Sequence, residues 1–208
     1  MNTTENRSKA KSTKNKLRHF VAASLLLSCG AVMAEQAPPA KPDMAALQKV
    51  MQQQIGLMTP EMQKQVKALS PESKAALLKI YSQHTRRSDT ITLRQVMHEV
   101  LSDYQSIATG LLTDNAEQAA GAARRLANHR LPRGGLLPYF KPEQVNDEMV
   151  SVLVPFNDSV EGNALRLAEA AENGDLMKAS DYFSKVTDGC MACHATFRGV
   201  PGKTPYLR

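Results

Sequence analysis

An all-helical fold follows from three features of the sequence. Apolar residues recur at intervals of three and four along most of the chain, strand-like alternation is nearly absent, and the triplets Thr59-Pro60-Glu61 and Ser70-Pro71-Glu72 are both helix-start signals. Aromatic residues are few and tryptophan is absent from the 208 residues. A chain of this size fits one domain with a sizeable core.

Residues 1–34 read as a secretory signal peptide. Arg7, Lys9, Lys11, Lys14, Lys16 and Arg18 form a basic start, an apolar run follows from Phe20 to Leu27, and Val32-Met33-Ala34 supplies small residues at the cleavage positions. The stretch from Phe20 to Ala34 is shorter than the roughly 20 residues a spanning helix needs. Two other readings stay open: an uncleaved anchor, and a lipid anchor at Cys29, although Leu27 fits a lipoprotein cleavage site poorly. The segment holds six of the basic residues and one acid, Glu5, so it carries +5 of the formal charge of +6. The high isoelectric point therefore belongs to the targeting segment and gives no reason to expect nucleic-acid binding. No later stretch is long and apolar enough to span a membrane.

Residues 35–43 are rich in Pro and Ala and read as a linker. Residues 44–88 follow as a helical extension, with Met44, Leu47, Met51, Ile55, Met58 and Met62 at helical spacing. The two Pro-containing triplets put Pro at the first helical position, and the second opens a helix through Leu77, Leu78 and Tyr81. Met44, Met51 and Met58 recur every seven residues. Soft thioethers in such a row could hold copper(I), but a packing stripe is the commoner meaning of the pattern.

Four main helices are expected in residues 89–208. The first runs from about 90 to 114 with a seam of Leu93, Met97, Leu101, Tyr104, Ala108 and Leu111. An Ala-rich helix follows over 115–129 and ends at Leu131-Pro132-Arg133-Gly134-Gly135. After a loop through Pro138, a third helix starts near Pro142. Pro155 should break or kink it, because proline removes a donor and clashes with the preceding turn. The helical pattern then resumes to Glu172. Asn173-Gly174-Asp175 joins a C-cap to an N-cap. The last helix carries Ala179, Phe183, Val186, Cys190, Cys193 and Phe197 on one seam. His84 and His129 fall near predicted helix ends and read as capping or surface histidines.

The strongest chemical signal is Cys190-Met191-Ala192-Cys193-His194. C-x-x-C-H is the pattern of covalent c-type haem attachment, in which two thiols bond the vinyl groups and the imidazole binds iron. On a helix these positions are i, i+3 and i+4, so all three groups leave one face. Other readings of a C-x-x-C pair fit less well. A redox dithiol normally sits between a strand and a helix, and a structural zinc site needs four ligands, typically with a second close-spaced pair. The remaining histidines, His19, His84, His98 and His129, are scattered singly.

With four main helices and this motif near the end of the last one, the chain resembles the class II c-type cytochromes, the cytochrome c′ and cytochrome c556 family. Leu167-Ala168-Glu169-Ala170-Ala171 followed by Gly174-Asp175 is similar to the family's junction between third and fourth helices. Cys190 to Arg198 is similar to its C-x-x-C-H-x-x-F-R ending, and Ile91, Arg94 and Met97-His98 resemble the start of its first bundle helix. The resemblance covers about residues 90–199 and is strongest over 165–199; residues 43–85 lie outside it. It implies an antiparallel four-helix bundle with one covalent haem c on the C-terminal helix, the extension being additional. It also implies periplasmic redox partner proteins and, more weakly, a homodimer.

The resemblance assigns roles residue by residue. Cys190 and Cys193 would carry the thioethers and His194 would be the proximal ligand. Arg198 would sit by that imidazole and tune it, unless it is simply a cation favourable at a helix C-terminus. Phe197 reads as core packing. Arg94 is a candidate propionate partner, since its fork matches a carboxylate, or else a solvated helix charge. For the sixth iron position the seam favours Met97, whose thioether would raise the potential, while the family's spacing after Arg94 favours His98. A core methionine with no distal ligand is the third alternative. The expected function is that of a periplasmic electron carrier and not an enzyme, with the fold supplying burial and ligation to the haem. Two alternatives are a five-coordinate, cytochrome c′-like binder of NO or CO, and a helical interaction protein without haem. No distal acid–base constellation for a peroxidase is visible.

Overall fold

Local capping decides where the helices start. In the computed structural model, which describes residues 43–208 except Arg198, Asp43, Thr59, Ser70, Thr92, Asn115, Asn146 and Asp175 each use a side-chain oxygen to accept a backbone N–H of the first turn. The helices are α1 (Met44–Gly56), α2 (Pro60–Ala68), α3 (Pro71–Gln83), α4 (Leu93–Leu112), α5 (Ala116–Ala127), α6 (Asp147–Asn157), α7 (Asn163–Glu172) and α8 (Leu176–Thr196). Thr92 and Gln95 form a reciprocal capping box on α4, and Pro60 and Pro71 occupy first helical positions. The described residues contain no strand, only isolated bridges between Met58 and Leu207 and between Arg87 and Leu131. No described helix is long and apolar enough to cross a membrane. The expected signal segment, the linker up to residue 42 and Arg198 lie outside the described residues.

Two cores organise the packing. The first lies among α4, α5, α7 and α8. It is mostly alanine, with Ala119, Ala122, Ala123, Ala164, Ala168 and Ala179 all fully buried around Ile107, Leu126, Leu167 and Val186. Small side chains let these helices approach closely: a Cβ on Gly110 of α4 would lie 2.5 Å from the Ala119 nitrogen of α5. The second core joins α2, α3 and α6 to the turns around Leu137 and Val145 and to the C-terminal tail. It uses Met58, Met62, Leu77, Phe140, Met149 and Leu153. The tail is stitched to the extension by backbone bonds, from Thr59 N–H to the Tyr206 carbonyl at 2.9 Å and from Arg208 N–H to the Leu57 carbonyl at 2.9 Å.

Three elements differ from the sequence expectation. Pro142 opens only a 3₁₀ turn, Pro142–Gln144, and α6 starts later, at the Asn146 cap. Pro155 does not end the helix. The chain stays helical past it and widens into a π turn, Asp158–Gly162, before α7. Ser159 Oγ donates to the Phe156 carbonyl and Asn163 Nδ2 donates to the Ser159 carbonyl, so side chains satisfy acceptors at the irregular turn. Finally, the buried stripe of α4 is rotated from the periodic seam. Val96 and Ile107 are fully buried, whereas Met97 is 37% and Leu101 51% exposed. The helix has apolar residues on two adjoining faces, and tertiary packing selects the face carrying Val96.

Candidate functional site

The Cys190–His194 motif occupies the last two turns of α8, which ends at Thr196. Cys190 and Cys193 are half-buried free thiols, and His194 is exposed. Burial pushes both thiols up, Cys193 to about 11 with help from Cys190 and from the carboxylate of Glu161. A redox dithiol works as a thiolate and needs the opposite shift. The position at a helix C-terminus also withholds the stabilisation that a helix N-terminus gives an anion.

The longitudinal register of α4 against α8 is pinned by Tyr104. Its hydroxyl meets Thr187 Oγ1 at 2.9 Å and its ring stacks on Phe183 at 4.6 Å. The start of α4 meets the chain beyond α8, where Arg94 N–H donates to the Gly202 carbonyl at 3.0 Å. The two helices are therefore antiparallel. Counting seven residues from Tyr104 toward the start of α4, and seven from Thr187 toward the end of α8, moves about 10 Å along each and brings Met97 level with His194. By the same count, Leu101 is level with Cys190. The structure thus puts exposed apolar residues of α4 at the height of the cysteine motif. His98 and the side chain of Arg94 are exposed at this end of α4. Phe197 turns to the second core, edge-on to Phe140 at 5.1 Å and Phe156 at 5.9 Å.

A second constellation went unrecognised in the sequence. His84 is the C-cap of α3, as one of its two expected readings had it, but at 1% exposed it is not a surface histidine. Its Nδ1 lies 2.9 Å from the Ile80 carbonyl, which can only accept, so this nitrogen carries the proton. His129, just past α5, is 17% exposed, and its Nδ1 donates to the Arg130 carbonyl at 2.8 Å. Both Nε2 atoms converge on Glu161 Oε1, at 3.4 Å from His84 and 3.3 Å from His129. Glu161 lies in the π turn and is 14% exposed. Burial alone would raise its carboxyl, but the two histidines outweigh this and hold it below the usual range. Burial pulls His84 down, while Glu161 and the Ile80 carbonyl reverse the effect and leave it raised. No local spacing links residues 84, 129 and 161; only the packing of α3, α5 and the π turn unites them.

Compared with protein-family models, curated proteins and solved structures, the chain has no match. Its functional reading rests on its own residues.

Proposed function

We propose that the protein is a class II c-type cytochrome, a periplasmic electron carrier whose four-helix bundle consists of α4, α5, the α6–α7 rod and α8. One haem c is bonded through Cys190 and Cys193, with His194 as the proximal ligand. The observation that carries this reading is the pairing of a C-x-x-C-H motif on α8 with the uncovered apolar residues Met97 and Leu101 at the same height on α4. The donor set suits the group: two protonated, half-buried thiols one helical turn apart, and an imidazole on the adjoining position. When bound, the haem supplies one-electron exchange at its iron.

This chain's residues then have separate tasks. Met97 and Leu101 keep water from the distal side, and Met97 is the first candidate for the sixth ligand, ahead of His98. Arg94 is the candidate partner for a propionate and Arg198 for the proximal side. Tyr104 fixes the spacing of α4 and α8 through Thr187 and Phe183, so it positions both sides of the pocket.

The test is to express the full chain in a host with working haem-ligation machinery and stain for haem after denaturing electrophoresis. Covalent haem should survive in the parent and be lost in Cys190→Ala/Cys193→Ala. The reduced spectrum should be low-spin and indifferent to CO, with CO binding appearing in Met97→Ala. Ready CO binding by the parent would favour the five-coordinate gas binder. A secreted polypeptide with the mass of its amino acids alone would leave only the interaction-protein reading.

A further inference from the structure

We propose that His84, His129 and Glu161 form a binding site for a divalent transition metal, with zinc as the natural occupant of this ligand set. The site shares no residue with the Cys190–His194 motif, although the Glu161 carboxylate is near enough to Cys193 to help raise its thiol.

Three atoms converge with their lone pairs facing inward. Each Nδ1 proton is committed to a backbone carbonyl, Ile80 for His84 and Arg130 for His129. In neutral imidazoles this leaves both Nε2 atoms as bare acceptors aimed at a carboxylate oxygen, which is also an acceptor. Something positive must stand between them. Protons would do so with both rings charged, a state that Glu161 favours for His84 but that sets two cationic rings with centroids 4.6 Å apart. The spacing argues for a metal instead. Charge-assisted N–H···O bonds close to about 2.7–2.9 Å, whereas these separations are 3.3 and 3.4 Å. Two ligands at about 2.0–2.1 Å from a tetrahedral zinc are roughly 3.3–3.4 Å apart.

The surroundings also suit a metal. Metal-bound histidines commonly donate the other ring proton to a carbonyl, which fixes tautomer and ring plane, and both rings do so here. His84 Nε2 and Glu161 Oε2 are buried with no hydrogen-bond partner. The three ligand atoms lie within 4.8 Å of one another. A cleft lined by Ile80, Ala127, Asn157, Asp158 and Leu165 includes Glu161, giving an ion a way in and leaving room for a water as a further ligand. Glu161 is presented by a π turn, an irregularity frequent at functional sites. Two histidines and one carboxylate with an open position suit zinc, and iron(II) or cobalt(II) as competitors. The ligands come from the ends of α3 and α5 and from the α6–α7 rod, so the ion would tie the extension to the rest of the fold.

The test uses the full chain as purified, with or without haem, after chelator treatment and dialysis. Elemental analysis during zinc titration should reach one zinc per chain in addition to any haem iron, with a rise in melting temperature. Glu161→Gln and His129→Gln should each weaken zinc binding by more than about 100-fold, beyond the roughly 10–100-fold lost when only an outer-shell partner is removed. Cobalt(II) on the unmutated protein should give visible ligand-field bands that zinc abolishes, a readout independent of how any variant folds. The proposal is overturned if the parent takes up neither ion, or if both folded variants bind zinc as tightly as the parent. It is also overturned if His129→Gln alters the haem spectrum while zinc uptake is unchanged, since the cluster would then serve the haem iron.

Discussion

Around Ile107 and Leu167 the interior is built from alanine, whereas around Met62 and Phe140 it is built from methionine, leucine and phenylalanine. The alanine side brings helix backbones together and leaves little that can move. The methionine side fills irregular gaps with flexible, polarisable chains, as methionine does in many cores. Rigidity therefore lies among α4, α5, α7 and α8, the helices that would hold a cofactor. Adaptability lies where the extension and the tail join.

The contrast can be broken first by removing bulk. Met62 is fully buried in the second core, and Met62→Ala should cost about 2–5 kcal/mol in a urea melt. A loss within the range of surface substitutions would show that this core is not cooperative with the rest. Adding bulk sharpens the comparison. Ala168→Leu places a large side chain between closely packed helices and should cost about 1–3 kcal/mol, while Met62→Leu should cost less than about 1.5 kcal/mol. Equal losses in the two variants would mean that the cores tolerate strain alike.

The smallest effect is electrostatic. Arg124 Nε donates to Glu172 Oε1 at 2.7 Å, joining α5 to α7 above the alanine core, and this bond holds the Glu172 carboxyl below the usual range. A lowered carboxylate contributes stability above its unfolded pKa and loses it as pH falls through the folded value. Both partners are about half exposed, so Glu172→Gln should cost under ~1 kcal/mol at neutral pH, and the cost should vanish in acid. A difference in melting temperature that persists below the carboxylate range would assign the effect to packing.

Most helix boundaries were legible because their determinants are local. Thr59-Pro60, Ser70-Pro71, Asn115 and Asp175 act on the turn that follows them, and all cap helices in the structure. The face of α4 was not legible. Val96 and Met97 are both apolar neighbours on one helix, and only tertiary contact determines which is buried. Pro155 was legible in part: the chain does not leave the helix there, but regular α-helix gives way to the π turn soon after it. The Cys190–His194 motif is contiguous and could be read directly. His84, His129 and Glu161 carry no shared spacing, and their meeting depends on three separate packings.

The π turn also explains how a single rod can serve both cores. Val150 and Ala168 are eighteen residues apart, five full turns of an ideal helix, and would point the same way. The turn at Asp158–Gly162 absorbs one surplus residue, a phase slip of about 100°. Val150 can thus look into the methionine interior while Ala168 looks into the alanine interior. Forcing these eighteen residues into an uninterrupted α-helix would realign the two stripes and leave one interior without its wall.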